Sequence, residues 1–168
     1  MDFKMLVLQS HYRSQSNFSW EALEAAKLRV KKYQSFADLQ FQTKQMPARS
    51  TESFTQSIKK IKEELSADLN STLALILVDV FSDVMLEDEL PEANKSDHQD
   101  YLAELDNLLD FNLKSREDIV ESQKQIIAER EAARKNDDYA KSDQLRDKLL
   151  EQGIGLRDTA HGTIWYRT

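Results

Sequence analysis

The chain has 168 residues, with 23 Lys and Arg against 30 Asp and Glu, for a net charge of −7. A protein living on indiscriminate phosphate attraction would be basic, so that class of nucleic-acid binder is excluded. The absence of cysteine rules out a disulfide scaffold, a thiolate metal site and a cysteine nucleophile, and no apolar run approaches the ~20 residues of a membrane span.

Residues 1–8 form an apolar stretch too short and too poorly flanked for a signal peptide; a short opening helix in a soluble, cytoplasmic protein is expected. Residues 10–19 are polar and rich in helix-capping types. Ser19 is placed to cap a helix with Glu21 in its first turn, where the helix dipole favours a carboxylate. Leu23, Ala26, Val30, Tyr33 and Ala37 recur at helical steps and predict one apolar face. Lys27, Arg29, Lys31 and Lys32 lie opposite. A solvated helix side is the first reading of these cations, and a patch touching the phosphates of a nucleic-acid stem is the second.

Pro47 ends this helix, since proline cannot continue it. Ser50 or Thr51 starts the next, with Phe54, Ile58, Ile61 and Leu65 on its core side. A second capping cluster at 67–72 precedes residues 73–86, which are apolar almost all round and are expected to form the central helix of a bundle. Residues 87–97 are acidic and broken by Pro91, as a surface loop would be. Tyr101, Leu102, Leu105, Leu108 and Leu109 predict another helix, residues 112–115 punctuate the chain, and a helix from about Arg116 to Lys135 follows. Asn136, Asp137 and Asp138 start the last helix, with Ala140, Leu145 and Leu149 as its buried stripe and Gly153 at its C-cap. Residues 154–158 and 163–167 then pair as a hairpin around 159–162.

The expected fold class is mainly α. A helical bundle over residues 1–114 is followed by a small two-helix plus β-hairpin module over residues 115–168. Residues 126–168 hold eight cations and eight anions, so the surplus negative charge lies upstream of them.

No constellation in the chain carries an enzymatic reaction. His11, His98 and His161 fall in expected loops without the paired spacing of a helical metal face. There is no Gly-x-Ser-x-Gly elbow, and Gly153, Gly155 and Gly162 are not spaced to cradle a phosphate. Acid pairs such as Asp137 and Asp138 suit the exposed start of a helix.

One long pattern does stand out: Arg130, Ala133-Arg134-Lys135, Asp138-Tyr139-Ala140, Ser142-Asp143, Leu145-Arg146-Asp147, Leu149, Glu151, Gly153-Ile154, Leu156, Asp158-Thr159, Gly162-Thr163 and Trp165. At these spacings it resembles the C-terminal module of cysteinyl-tRNA synthetases. His11-Tyr12-Arg13-Ser14, Asn17-Phe18-Ser19, Leu23 and Ala26 resemble the opening of that family's DALR-type helical bundle. Asp68-Leu69-Asn70 resembles a helix start of the same family, with Ser71-Thr72 in place of Thr-Pro. Asp2-Phe3-Lys4 departs from the family's usual Ala-Leu-Arg-like run.

The resemblance implies a C-terminal fragment of a cysteine–tRNA ligase. That family's catalytic domain uses ATP and zinc and carries His-Ile-Gly-His and Lys-Met-Ser-Lys-Ser sequences, which are absent here. The fragment itself is expected to be non-catalytic and to need no cofactor. Its implied partners are tRNA for cysteine and the catalytic domain of its parent chain, with no membrane.

Carried over position by position, Arg134, Tyr139, Asp143 and Asp158 match residues implicated in reading the anticodon loop, and Arg146 and Arg167 are candidates for phosphate contacts. Unstacked bases expose edges that Asp can accept from and Arg can donate to. Tyr139 stands where some relatives have tryptophan and would offer a stacking face. Against these roles stand surface ion pairing for Asp143 and Arg146, partial packing for Tyr139, and core packing for Trp165. His11, Tyr12 and Arg13 are expected to brace the bundle. The rival to an RNA reader is a non-catalytic helical interaction scaffold built on the same framework.

Overall fold

The computed structural model describes residues 1–15, 17–42, 52–86, 95–159 and 162–168. Among them stand seven helices, α1 (Asp2–Leu8), α2 (Trp20–Asp38), α3 (Glu52–Asp68), α4 (Ser71–Leu86), α5 (Lys95–Leu109), α6 (Glu121–Lys135) and α7 (Tyr139–Glu151). Two antiparallel strands, β1 (Ile154–Thr159) and β2 (Gly162–Arg167), complete the chain. The mainly helical class with a C-terminal hairpin is therefore as its patterning predicts. Backbone contacts gather the chain into two units, Met1–Gln40 with Gln45–Arg116, and Phe41–Lys44 with Glu117–Thr168.

The first unit is a helical bundle. Ser19 caps α2 as expected, its Oγ accepting from Ala22 N at 3.1 Å. The helix buries Ala26, Val30, Tyr33, Phe36 and Ala37, so Phe36 joins the face read from the sequence. It ends at Asp38 and tightens into a 3₁₀ turn at Leu39–Phe41, earlier than Pro47 would require. The expected break at Pro47, the cap at Ser50 or Thr51, and most of the acidic loop lie outside the described residues. That loop's last members, Lys95, Ser96 and Asp97, instead begin α5. Asn70 Oδ1 accepts from Leu73 N at 3.2 Å and caps α4. His11, Tyr12 and Arg13 gather on Asp68 at the end of α3, where Tyr12 donates its hydroxyl at 2.8 Å.

Two expectations change. α4 packs against α1, α2 and α3, the central place expected of it, but its near-uniform apolar surface is not buried all round. The helix buries Ala74, Leu75, Val78, Ser82 and Met85, while Ile76, Val80 and Val84 stay exposed. Composition alone hides this difference between its two faces. Residues 116–120, expected to be helical, are not. Asp110 and Asn112 take left-handed backbone angles, and the Asp106 carboxylate accepts from Leu113 N and Lys114 N at 2.8 and 2.9 Å. Those bonds turn the chain away from helix. Arg116 then lies against Asp38, which α2 buries completely.

Aromatic rings fill the centre of this unit. Phe36, Phe54, Phe81 and Tyr101 meet mainly edge to face, and His98 of α5 packs among them, 4.8 Å from the Phe36 ring. This corrects the placement of His98 in a loop. Its Nε2 has no hydrogen-bond partner among the described residues, and burial pushes its pKa down to about 4 from an ordinary 6.5.

A histidine depressed in the folded state stays neutral there while the unfolded chain takes up a proton. Its contribution to stability is therefore complete above pH 6.5 and is lost as pH falls toward 4, to a total of about 3 kcal/mol. Urea unfolding at pH 7 and pH 4.5 should show His98→Phe losing about 2 kcal/mol less than the wild type across that interval. Equal losses would show that His98 is not responsible.

The second unit packs α6 on α7 and α7 on β1. Its core holds Ile119, Ile126, Leu149, Ile154, Leu156 and Trp165, with Phe41, Ile127 and Leu145 against them. Trp165 is thus a core residue. The Gln42 side chain brackets its backbone, donating to Trp165 O and accepting from Trp165 N, both at 3.0 Å. Ala140 is exposed, and Ser142 takes its expected place beside Leu145 and Leu149. Ala140 lies five positions before Leu145, out of phase with a helical stripe.

Gly153 follows the end of α7 at φ 77°, the left-handed cap position where glycine bears no Cβ penalty. In the hairpin Leu156 pairs with Trp165 and Asp158 with Thr163.

Candidate nucleic-acid interface

The sequence places arginines at 130 and 134, one helical turn apart on α6, so both project on the same side. The hairpin brings Asp158 and its cross-strand partner Thr163 to them. Arg130 is 3% exposed. It grips Asp158 with both terminal nitrogens, Nη1 to Oδ1 at 2.9 Å and Nη2 to Oδ2 at 2.8 Å. Thr163 donates its hydroxyl to Oδ1 at 2.8 Å and accepts from Arg130 Nη1 at 3.3 Å. Arg134 donates to Oδ2 from the solvent side.

These donors, Arg130 above all, hold the Asp158 carboxyl well below the usual carboxylate range. The same contact raises the Arg130 pKa above its already high ordinary value. Asp158 and Arg130 are therefore both ionised across the physiological range. The cluster joins two cations to one anion, with Asp143 adding a further negative charge near Arg130.

On α7 the other candidates align. Tyr139, Asp143 and Arg146 are separated by four and three residues, which sets them along one side of a helix. All three are exposed, and Leu150 continues the line at 54% exposure. Tyr139 is 60% exposed at the first position of α7, so it is not packing material. Its hydroxyl donates to Asp137 Oδ1 at 3.0 Å, leaving the ring face open. Among the described residues no hydrogen bond or ion pair engages the side chains of Asp143 or Arg146.

Arg167 is placed differently. Its Nη2 donates to Glu117 O at 2.6 Å and its guanidinium lies 5.2 Å from the centre of the Trp165 ring. It serves to lock the hairpin end against the lead-in to α6.

The structure thus brings together Arg134 and Asp158 as one ion-paired group, and Tyr139, Asp143 and Arg146 as one exposed stripe. It sets Arg167 aside in an internal contact. Arg130, Thr163 and Leu150 were not singled out as site residues from the sequence. The helical spacing of Arg130 and Arg134 was the available signal for the first. The depth of Arg130 depends on the hairpin and has no local mark.

The cations of α2 do not form a free basic patch. Arg29 is bound to Asp79 through Nε at 3.2 Å and Nη2 at 2.5 Å. Lys32 reaches Asp83 at 2.8 Å, and Lys27 reaches Glu24 at 2.6 Å. These three are already matched by carboxylates while Lys31 stays exposed, so most of the charge that a phosphate patch would need is engaged within the protein. Among the described residues no three His, Asp or Glu side chains stand together as a metal site. No described helix is long and apolar enough to cross a membrane.

Residues 116–167 match the family model described as the cysteinyl-tRNA ligase anticodon binding domain. Over 96% of its length the chain is 34% identical to a protein of Leptospira interrogans serogroup Icterohaemorrhagiae serovar copenhageni named Cysteine--tRNA ligase, covering 37% of that protein. It is 30% identical over 98% of its length to a protein of the same name from Halalkalibacterium halodurans, covering 38% of it. A third, from Campylobacter jejuni subsp. jejuni, is 34% identical over 96% of the chain, again with 38% covered. The chain spans less than two fifths of the length of these relatives.

Proposed function

The chain belongs to the cysteine–tRNA ligase family, residues 116–167 forming its anticodon binding domain, and from that premise we propose that it binds tRNA for cysteine and reads the anticodon. The exposed stripe Tyr139, Asp143 and Arg146 on α7, beside the Arg134–Asp158 group, is the reading surface. The observation that carries this proposal is the alignment of those three side chains on one solvent-facing side of a helix. An aromatic face, an acceptor and a planar donor are what unstacked bases need. Attachment of cysteine belongs to the catalytic domain of the parent enzyme, which would use ATP and a metal there, in the cytoplasm.

Charge supports base readout over phosphate grip. The segment 126–168 is neutral, so counterion release contributes little and affinity in isolation is modest. Contacts made elsewhere on the tRNA by the catalytic domain would add avidity.

The test is Tyr139→Ala, compared with Lys148→Ala, which removes a cation from another exposed face of α7. Fluorescence anisotropy with tRNA for cysteine should show Tyr139→Ala losing roughly tenfold in affinity, in keeping with ~1–3 kcal/mol per stacked base. Lys148→Ala should change it little. Equal, small effects of both would mean that the stripe is not the reading surface.

A further inference from the structure

We infer that Arg130 is the positioning residue of the recognition site and Arg134 its exchangeable partner: Arg130 keeps the Asp158 carboxylate fixed, and Arg134 leaves it when an unstacked RNA base arrives. This rests on the proposed reading of the anticodon and assigns it a sequence of contacts.

The starting point is acceptor capacity. A carboxylate offers about four lone-pair sites on its two oxygens. In Asp158 all are taken: Oδ1 accepts from Arg130 Nη1 and Thr163 Oγ1, and Oδ2 accepts from Arg130 Nη2 and Arg134 Nη1. A base amino group can bond to Asp158 only by displacing one of these donors.

The donors are not equivalent. Arg130 is 3% exposed, while the Arg134 side chain is 41% exposed. Detaching Arg130 would leave a buried guanidinium without its counter-ion and break two parallel bonds together with the link to Thr163. Arg134 holds a single oxygen from the solvent side. Once detached, its guanidinium is met by water or by the ligand, and its fork of donors suits a base edge or a phosphate. Oδ2 is therefore the atom that Arg134 yields to a base. Arg130 and Thr163 stop the carboxylate from turning as it does so. Arg130 touches no RNA in this scheme and acts through Asp158.

Two measurements decide it. In the free protein, the Asp158 carboxyl is followed by carbon NMR through an acid titration. In Arg134→Gln its midpoint should remain well below that of an ordinary aspartate, whereas in Arg130→Gln or the milder Arg130→Lys it should move up toward the ordinary range. A large upward move in Arg134→Gln would overturn the assignment, and that substitution lies at an exposed position where folding is not at risk.

The second measurement is anisotropy with tRNA for cysteine and with the same RNA carrying a replaced anticodon. Arg130→Lys should reduce the preference for the native anticodon about tenfold while the thermal transition stays above the assay temperature. An undiminished preference in a folded Arg130→Lys protein would refute the positioning role. On adding native tRNA, the Arg134 Nε–H resonance of the wild type should shift while that of Arg130 stays in place; the reverse would refute the exchange. A wild-type protein indifferent to the anticodon would instead remove the recognition reading and the exchange with it. The titrations would then still decide which arginine fixes Asp158.

Discussion

Arg116→Ala is expected to lower the unfolding free energy of the bundle by about 3–5 kcal/mol, the cost of breaking a buried ion pair by removing one of its members. Asp38 is completely buried at the end of α2. Arg116 meets it bidentately, Nε to Oδ1 at 2.7 Å and Nη2 to Oδ2 at 2.8 Å, from a stretch that is not helical. The planar guanidinium matches both carboxylate oxygens at once, which a lysine cannot do. Arg116→Lys should therefore recover only part of the loss. The double substitution of Asp38→Leu with Arg116→Met should recover more, because it removes both charges together. Urea denaturation monitored by circular dichroism checks the series. A loss below about 1 kcal/mol in Arg116→Ala, the range of surface ion pairs, would show that this pair is not an anchor of the bundle.

Charge reversal at Arg134 has the second large effect, and it falls on binding. R134E should weaken binding of tRNA for cysteine by tenfold or more, since a bidentate arginine contact to a base is worth about 1–3 kcal/mol and the new carboxylate also repels phosphate. The thermal transition should move little. Arg134 is substantially exposed, and Asp158 keeps Arg130 and Thr163. A scaffold that binds no RNA would show no change in any RNA assay. A protein that unfolds on R134E would place Arg134 among its structural residues.

Much of this architecture was legible in the sequence because it is local. Ser19 as a cap, Gly153 as a helix stop, and Leu145 and Leu149 as a buried face each follow from a few neighbouring residues, and the structure agrees. What failed depends on distant chain. Residues 116–120 have helix-compatible composition, yet the Asp106 carboxylate and the Asp38 partnership draw them out of helix. Residues 73–86 are apolar on both sides, so nothing local tells which side meets α2 and α3. Phe41 and Gln42 joined the hairpin's unit from a hundred residues upstream, a contact with no sequence signal.

The candidate site divides in the same way. Tyr139, Asp143 and Arg146 could be aligned by counting along one helix. The family pattern picked out Arg134 and Asp158, but only the fold shows them bound to each other and to a buried Arg130. The same dependence on distant partners explains the α2 cations. Arg29 and Lys32 look like a basic face until α4 supplies Asp79 and Asp83.

Anticodon-dependent binding is tested most directly by fluorescence anisotropy of the unmodified protein at low salt. Its two ligands are tRNA for cysteine and the same molecule with the anticodon bases replaced. Tighter binding of the native tRNA, by about tenfold or more, is the expected result, with a preference that survives added salt because base contacts carry it. Equal binding of the two RNAs, weakening together as salt rises, would contradict anticodon readout by the α7 stripe.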